Sequence, residues 1–208
     1  MASAGRAGPP GAAPPSLRLR PVRGDDVGLL ERWRADPEAL GRFGWFGFAP
    51  PGALRRRHDQ DGLLGSDRGD LLVELGDGTP IGDVSYHAVH HGPPPASRAF
   101  NIGIWLLPEH RGRGHGSEAQ RQLAAYLFAH TPVERVEAST DVDNATEQRA
   151  LEKAGFTREG VLRHAQFREG GSTTWCCTAS SAGNDRHRRR SQWQGRNERR
   201  NDATGAKR

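Results

Sequence analysis

The sequence predicts an α/β (α+β) domain, a mixed central β-sheet flanked by helices, and three features predict it. Strand-like and helix-like segments follow one another as β, α, α, β, β, β, α, β, α, β between residues 17 and 167. Two of the strands, Asp70–Leu75 and Ile81–His87, flank Gly76-Asp77-Gly78-Thr79, a strong signal for an antiparallel hairpin. A further apolar strand, Phe100–Leu107, passes through a glycine-rich turn into a clear helix. Hairpins and helical connections together make a mixed sheet.

Each element has a local reason. Leu17-Arg18-Leu19-Arg20-Pro21-Val22 alternates as a strand does. Asp25 and Asp26 suit a helix start, and Leu29, Leu30 and Trp33 give that helix one apolar face. A stretch rich in Phe and Trp (Phe43, Trp45, Phe46, Phe48) precedes a second helix near Ala53–Asp61, and reads as core or as the wall of an acceptor pocket. The loop His90–Ser97 carries three prolines and separates the hairpin from Phe100–Leu107. Helix Ser117–His130 has Leu123, Tyr126 and Leu127 as its apolar face. Arg135–Thr140 is a short strand, and Val161–Phe167 is another. Between them, helix Asn144–Ala154 ends at Gly155, which adopts the left-handed cap conformation readily.

The chain has 208 residues, of which 34% are hydrophobic, enough for one such domain with irregular ends. Residues 1–16 are rich in Ala, Gly and Pro and read as a disordered arm, 17–180 as the domain, and 181–208 as a basic disordered tail. With no run of eighteen apolar residues and no apolar leader, neither a transmembrane helix nor a secretory signal is expected. The two cysteines, Cys176 and Cys177, are adjacent, cannot join distant segments, and fit a reducing cytoplasm. The net charge of +5 divides unevenly: residues 183–208 hold nine basic against three acidic residues, the remainder 21 against 22. A nucleic-acid partner would therefore rest on the tail's charge alone and is not expected. His87, His90 and His91 straddle a strand end and a proline loop without a fourth ligand, so no metal is expected.

The chemistry concentrates in Ile104-Trp105-Leu106-Leu107-Pro108-Glu109-His110-Arg111-Gly112-Arg113-Gly114-His115-Gly116-Ser117. A strand ends at a proline, crosses three alternating glycines and enters a helix. A helix start presents unpaired N–H groups and partial positive charge, glycines let the backbone approach an anion closely, and Arg111 and Arg113 add charge. The spacing is neither G-x-G-x-x-G nor a P-loop, since no Lys-Ser/Thr pair follows.

Arg111-x-x-Gly114-x-Gly116 resembles the acetyl-CoA pyrophosphate loop of the GNAT acetyltransferase superfamily. Downstream, Asn144 with Arg149-Ala150-Leu151-Glu152-Lys153-Ala154-Gly155-Phe156 resembles a second signature, typical of its RimJ/RimL-like branch (ribosomal-protein-alanine acetyltransferases). Leu17 to Pro21 and Trp33…Asp36-Pro37-Glu38 match the same branch, so the resemblance spans residues 17–170. It implies a GNAT fold and transfer of acetyl from acetyl-CoA, as co-substrate, to a primary amine of a protein N-terminus or a small molecule. It also implies a cytoplasmic monomer or homodimer. The strand ending at Leu107 should splay from its neighbour, and backbone groups of Leu106 should meet the thioester end. Amides of Arg111, Gly112, Arg113, Gly114, His115, Gly116 and Ser117 should cradle the pyrophosphate, with Asn144 near the pantetheine or serving as a helix cap.

The proton-transfer residues are less legible. Many relatives carry Glu, Tyr and Ser where this chain has Asn101, Leu151 and Glu147. Asp83 and Tyr86 on the hairpin, with Asp141, are the remaining candidates on the acceptor side. These departures keep open a second class, a catalytically weak acyl-CoA-binding module. Glu134, Glu137, Asp141 and Asp143 read as a solvated acidic rim.

The segment after Gly170 lacks the bulky alternation of a last sheet strand, so that strand is expected to be missing or altered. Codons for Trp175-Cys176-Cys177, read with each third base opening the next codon, encode Val-Leu whatever synonyms are used. Allowed codons for residues 172–181 extend this to His-Asp-Val-Val-Leu-Tyr-Ser-Val-Leu, a strand pattern of the expected kind. The tail therefore reads as the product of a frameshift near residues 170–172.

Overall fold

The computed structural model describes residues 16–93 and 95–183; the arm before residue 16 and the tail after 183 lie outside the described residues. Seven strands form one mixed sheet in the order β1-β2-β3-β4-β5-β7-β6. They are β1 (Leu17–Pro21), β2 (Arg68–Leu75), β3 (Pro80–His90), β4 (Arg98–Leu106), β5 (Arg135–Asp141), β6 (Thr157–Arg168) and β7 (Gly171–Ser181). Among the described residues only the β4–β5 pair is parallel, and the long connection it needs is supplied by helix α4 (His115–His130).

Strand alternation sorts the rest into two layers. Leu71 and Val73 of β2 pack with Phe100, Ile102, Leu123, Leu127 and Leu151, so α4 and α5 (Ala145–Ala154) cover one face. Leu72 points the other way, into a second cluster with Val27, Leu30, Leu54 and Leu63. Helices α1 (Val27–Arg34) and α3 (Ala53–Asp61) cover that face. A one-turn helix not expected from patterning, α2 (Pro37–Leu40), forms because Asp36 caps it. Its carboxylate accepts from the Glu38 and Ala39 amides at 2.9 and 3.2 Å, and Pro37 occupies the first position. On α4, Tyr126 is not part of the buried stripe. It is 38% exposed and packs on His130, because the stripe through Leu123 and Leu127 is completed by Ala119 and Ala124 instead.

Of the two expectations for the last strand, missing or altered, the first does not hold. Gly171–Ser181 lies inside the sheet as β7, paired with β5 from Arg135↔Ser181 to Asp141↔Trp175 and with β6 on its other side. Ladder hydrogen bonds are made by the backbone, so two preset neighbours capture a segment of small side chains. Thr and Trp favour the extended form. Cys176, Thr178 and Ala179 are buried, with the Thr178 hydroxyl donating to the Ala138 carbonyl at 3.2 Å. Just past the strand, Ala182 is still buried and its amide donates to the Glu134 carbonyl at 3.1 Å.

Candidate active site

Parallel pairing of β4 with β5 is confined to Phe100↔Val136 and Asn101↔Glu137. Beyond it, Ile102–Leu106 and Ala138–Asp141 diverge, and both segments line a cleft of about 1020 Å³. The Leu107 amide donates to the Ile81 carbonyl on β3 at 2.9 Å. Alternation then turns the amides of Leu106, Ile104 and Ile102 away from β3, into the gap. An extended ligand can add there as a strand would.

The gap opens onto the glycine turn. Gly112 and Gly114 have φ of 71° and 86°, values that side chains with a Cβ resist. Gly114 is the N-cap of α4, no side chain caps its first turn, and the Glu118 amide donates to the Gly114 carbonyl at 3.2 Å. The amides of His115, Gly116 and Ser117 therefore remain for an anion at the positive end of the helix dipole. Leu106, Arg111, Gly112, Gly114, Gly116, Ser117 and Asn144 all line the cleft. The Arg113 side chain is exposed, and the His115 ring is buried, its pKa lowered by desolvation and by His110 and Arg113.

Arg111 differs from expectation. Its Nε donates to the Leu106 carbonyl at 2.8 Å and its Nη2 to the Ala39 carbonyl at 2.5 Å. The guanidinium thus staples the end of β4 to the end of α2, and any contact with phosphate falls to its backbone. Arg149 and Lys153, one turn apart on α5, line the same cleft and supply cationic charge there.

The proposed acid–base residues are disposed differently. Asp83 lines the cleft but is buried beneath Arg34, whose Nη2 lies 2.7 Å from both Asp83 and Asp70; Arg57 holds Asp70 from the other side, also at 2.7 Å. Tyr86 is three residues from Asp83 and so faces the opposite side of β3. Its hydroxyl donates to the Gly65 carbonyl at 3.0 Å and its ring packs edge-on to Phe100, in the core and out of reach of the cleft. Asp141 is not a solvated rim residue: Arg168, equally buried, pairs with it at 2.5 Å, and the Asp143 amide donates to it at 2.9 Å. Asn144 caps α5, accepting from the Glu147 amide at 3.2 Å and donating to Thr140 at 3.2 Å, while lining the cleft. Phe43 and Phe46 also line it, Phe43 beneath the guanidinium groups of Arg42 and Arg168. Phe46 and Phe48 are 63% and 82% exposed, so the aromatic cluster is wall and surface rather than core.

Sequence reasoning counted Glu147 only as a departure that leaves a proton-transfer role unfilled. It lines the cleft from the first turn of α5 and accepts a 2.9 Å hydrogen bond from the buried Gln120 Nε2 on α4. Burial pushes its carboxyl up to about 7, with the Gln120 bond opposing. Its position three residues after Asn144, at the start of a helix bordering the glycine turn's neighbour, was the available signal.

Residues 16–157 match the acetyltransferase (GNAT) domain family. The chain is 33% identical to the uncharacterized N-acetyltransferase YoaA of Bacillus subtilis, over 43% of this chain and 49% of that one. It is 29% identical to the ribosomal-protein-serine acetyltransferase of Escherichia coli, over 42% and 46%. The chain spans about half the length of the curated relatives it matches. Among solved structures, the spermidine N-acetyltransferase of Vibrio cholerae in complex with CoA and spermine superposes with a TM-score of 0.70. It is 16% identical, over 81% of this chain and 97% of that one, a likeness of fold.

Proposed function

The chain belongs to the GNAT acetyltransferase family, and from that premise we propose that it transfers the acetyl group of acetyl-CoA to the primary amine of a polypeptide N-terminus. The observation that carries the reading is the gap between β4 and β5, lined by inward amides and opening directly onto the uncapped start of α4. A pantetheine arm needs hydrogen-bond partners along its length, and a pyrophosphate needs backbone donors and positive charge. Both requirements meet in one continuous cleft.

The residues divide the work accordingly. The amides of Gly114, His115, Gly116 and Ser117 hold the pyrophosphate, Ile104 and Leu106 align the acyl-pantetheine, and a gap-facing amide stabilises charge developing on the thioester oxygen. Arg111 keeps the Leu106 backbone in register with α2, and Asn144 fixes the start of α5. Proximity supplies much of the acceleration.

The acceptor follows from charge. Asp70, Asp83 and Asp141 all have arginine partners already, so this side of the cleft offers little to a polycation. A single amine carried on an uncharged backbone, entering past Phe43 and Phe46, fits better than a polyamine. Similarity to a ribosomal-protein-serine acetyltransferase supports the same choice.

The test is calorimetric titration with acetyl-CoA, followed by mass spectrometry of a serine-started peptide and of spermidine incubated with both. Binding, and acetylation of the peptide in preference to spermidine, is the expected result. Binding without transfer to either would favour the weak acyl-CoA-binding module. No binding by a folded chain would remove the glycine turn from the reading.

A further inference from the structure

We propose that the carboxyl of Glu147 is the acid that protonates the departing thiolate of the acyl donor. The proposal rests on the acetyl-transfer reading and assigns the proton step that the other candidates leave unfilled. Asp83 and Asp141 are held by arginines, and Tyr86 is in the core. Glu147 shares the cleft with them but lies on the donor's side: its hydrogen-bond partner, Gln120, sits on α4, the helix whose first turn faces the glycine loop. The other end of the Gln120 amide, Oε1, is a buried acceptor with no partner among the described residues.

The surroundings favour that protonated form. The charged groups on the elements around it are His115, Glu118 and Arg121 on α4, Asp141 on β5, Arg168 on β6, and Arg149, Glu152 and Lys153 on α5. Asp141 and Arg168 neutralise one another, as do Glu118 and Arg121. The carboxyl is left to desolvation and Gln120, and is pushed up to about 7. A thiol of ordinary pKa, about 8.5, is the weaker acid, so transfer from Glu147 to thiolate is downhill.

The step balances. The neutral amine attacks the thioester carbonyl carbon, forming C–N. The C–S bond breaks with its electron pair on sulfur, and sulfur takes the Glu147 proton to leave as free thiol. The surplus proton on the new amide nitrogen passes to water, and water returns one to the carboxylate.

The experiment measures kcat from pH 5.5 to 9.5 with acetyl-CoA and a serine-started peptide, alongside calorimetric binding of acetyl-CoA. It compares the wild type with Glu147→Gln, which keeps size and the Gln120 bond, and Glu147→Asp, which keeps a titrating group. In Glu147→Gln, kcat at pH 6.5 falls about 100-fold. The wild type's decline above pH 7 disappears, and acetyl-CoA binding stays within about twofold. Glu147→Asp keeps the decline at a lower kcat. An unchanged kcat and profile in Glu147→Gln overturns the assignment, as does an equal loss of binding and kcat, which marks a structural role. A wild type that binds but transfers nothing overturns the acetyl-transfer reading together with it.

Discussion

Two carboxylate sites, one buried and one half-buried, border one cleft and differ in how their charge is met. Beneath α1 and α3, Asp70 and Asp83 are locked by Arg34 and Arg57 at 2.7 Å, and the two carboxylates hold Arg34 above its ordinary range. Between α4 and α5, Glu147 has only a neutral amide partner and rises to about 7. At Asp83 the Arg34 charge opposes the upward push of burial, whereas at Glu147 no counter-charge does, and desolvation carries the carboxyl up to about 7. The first site shapes the cleft, and the second can work in it.

The contrast is broken most severely at Arg34. Arg34→Ala strands Asp83 without a counter-charge, and a loss of about 3–5 kcal/mol in urea unfolding at pH 7 is expected. The loss shrinks at pH 4, where the stranded carboxyl takes a proton. An equal loss at both pH values would mean that packing, not charge, is what Arg34 supplies.

The donor side is tested at the turn. Gly114→Val forces a β-branched residue into φ of 86° at the start of α4. Acetyl-CoA affinity should fall about 50-fold, since the strain displaces the very amides that meet the anion. Thermal unfolding of the free protein should move far less than in Arg34→Ala.

Glu147 sharpens the comparison through stability. The folded carboxyl keeps its proton up to about 7, while the unfolded one releases it near 4.5. Between these values the folded state binds more protons, so this group lowers stability as pH rises through the window. Glu147→Gln should therefore be nearly neutral at pH 4.5 and stabilising by about 3 kcal/mol at pH 8, in urea titrations at each pH.

The smallest effect is expected at β7, whose Trp175 lines the cleft. Replacing residues 172–180 with His-Asp-Val-Val-Leu-Tyr-Ser-Val-Leu puts Leu and Val where Cys176 and Ala179 are buried. Thermal unfolding should rise by about 1 kcal/mol, roughly 3 °C. A fall would favour the strand as it stands, and sequencing the gene tests the frameshift directly.

Much of the molecule was legible in the chain because its signals are local. Element order follows from hydrophobic period, the hairpin from Gly76 to Thr79, and the anion-ready turn from glycines at the two positive-φ positions. The separation of Tyr86 from Asp83 was legible too, since residues three apart on a strand face opposite ways. β7 was misread because small side chains conceal a strand that two neighbours impose through backbone hydrogen bonds.

The sequence by itself therefore determined most of the secondary elements, the Asn144 and Gly155 caps of α5, and the positive-φ glycine turn before α4. Tertiary structure alone decided where β4 leaves β5, which arginine neutralises which aspartate, and that Glu147 lacks a cation. The partners of Asp70 and Asp83 are 13 to 49 residues away, and desolvation depends on everything packed around a group. No window of sequence contains either.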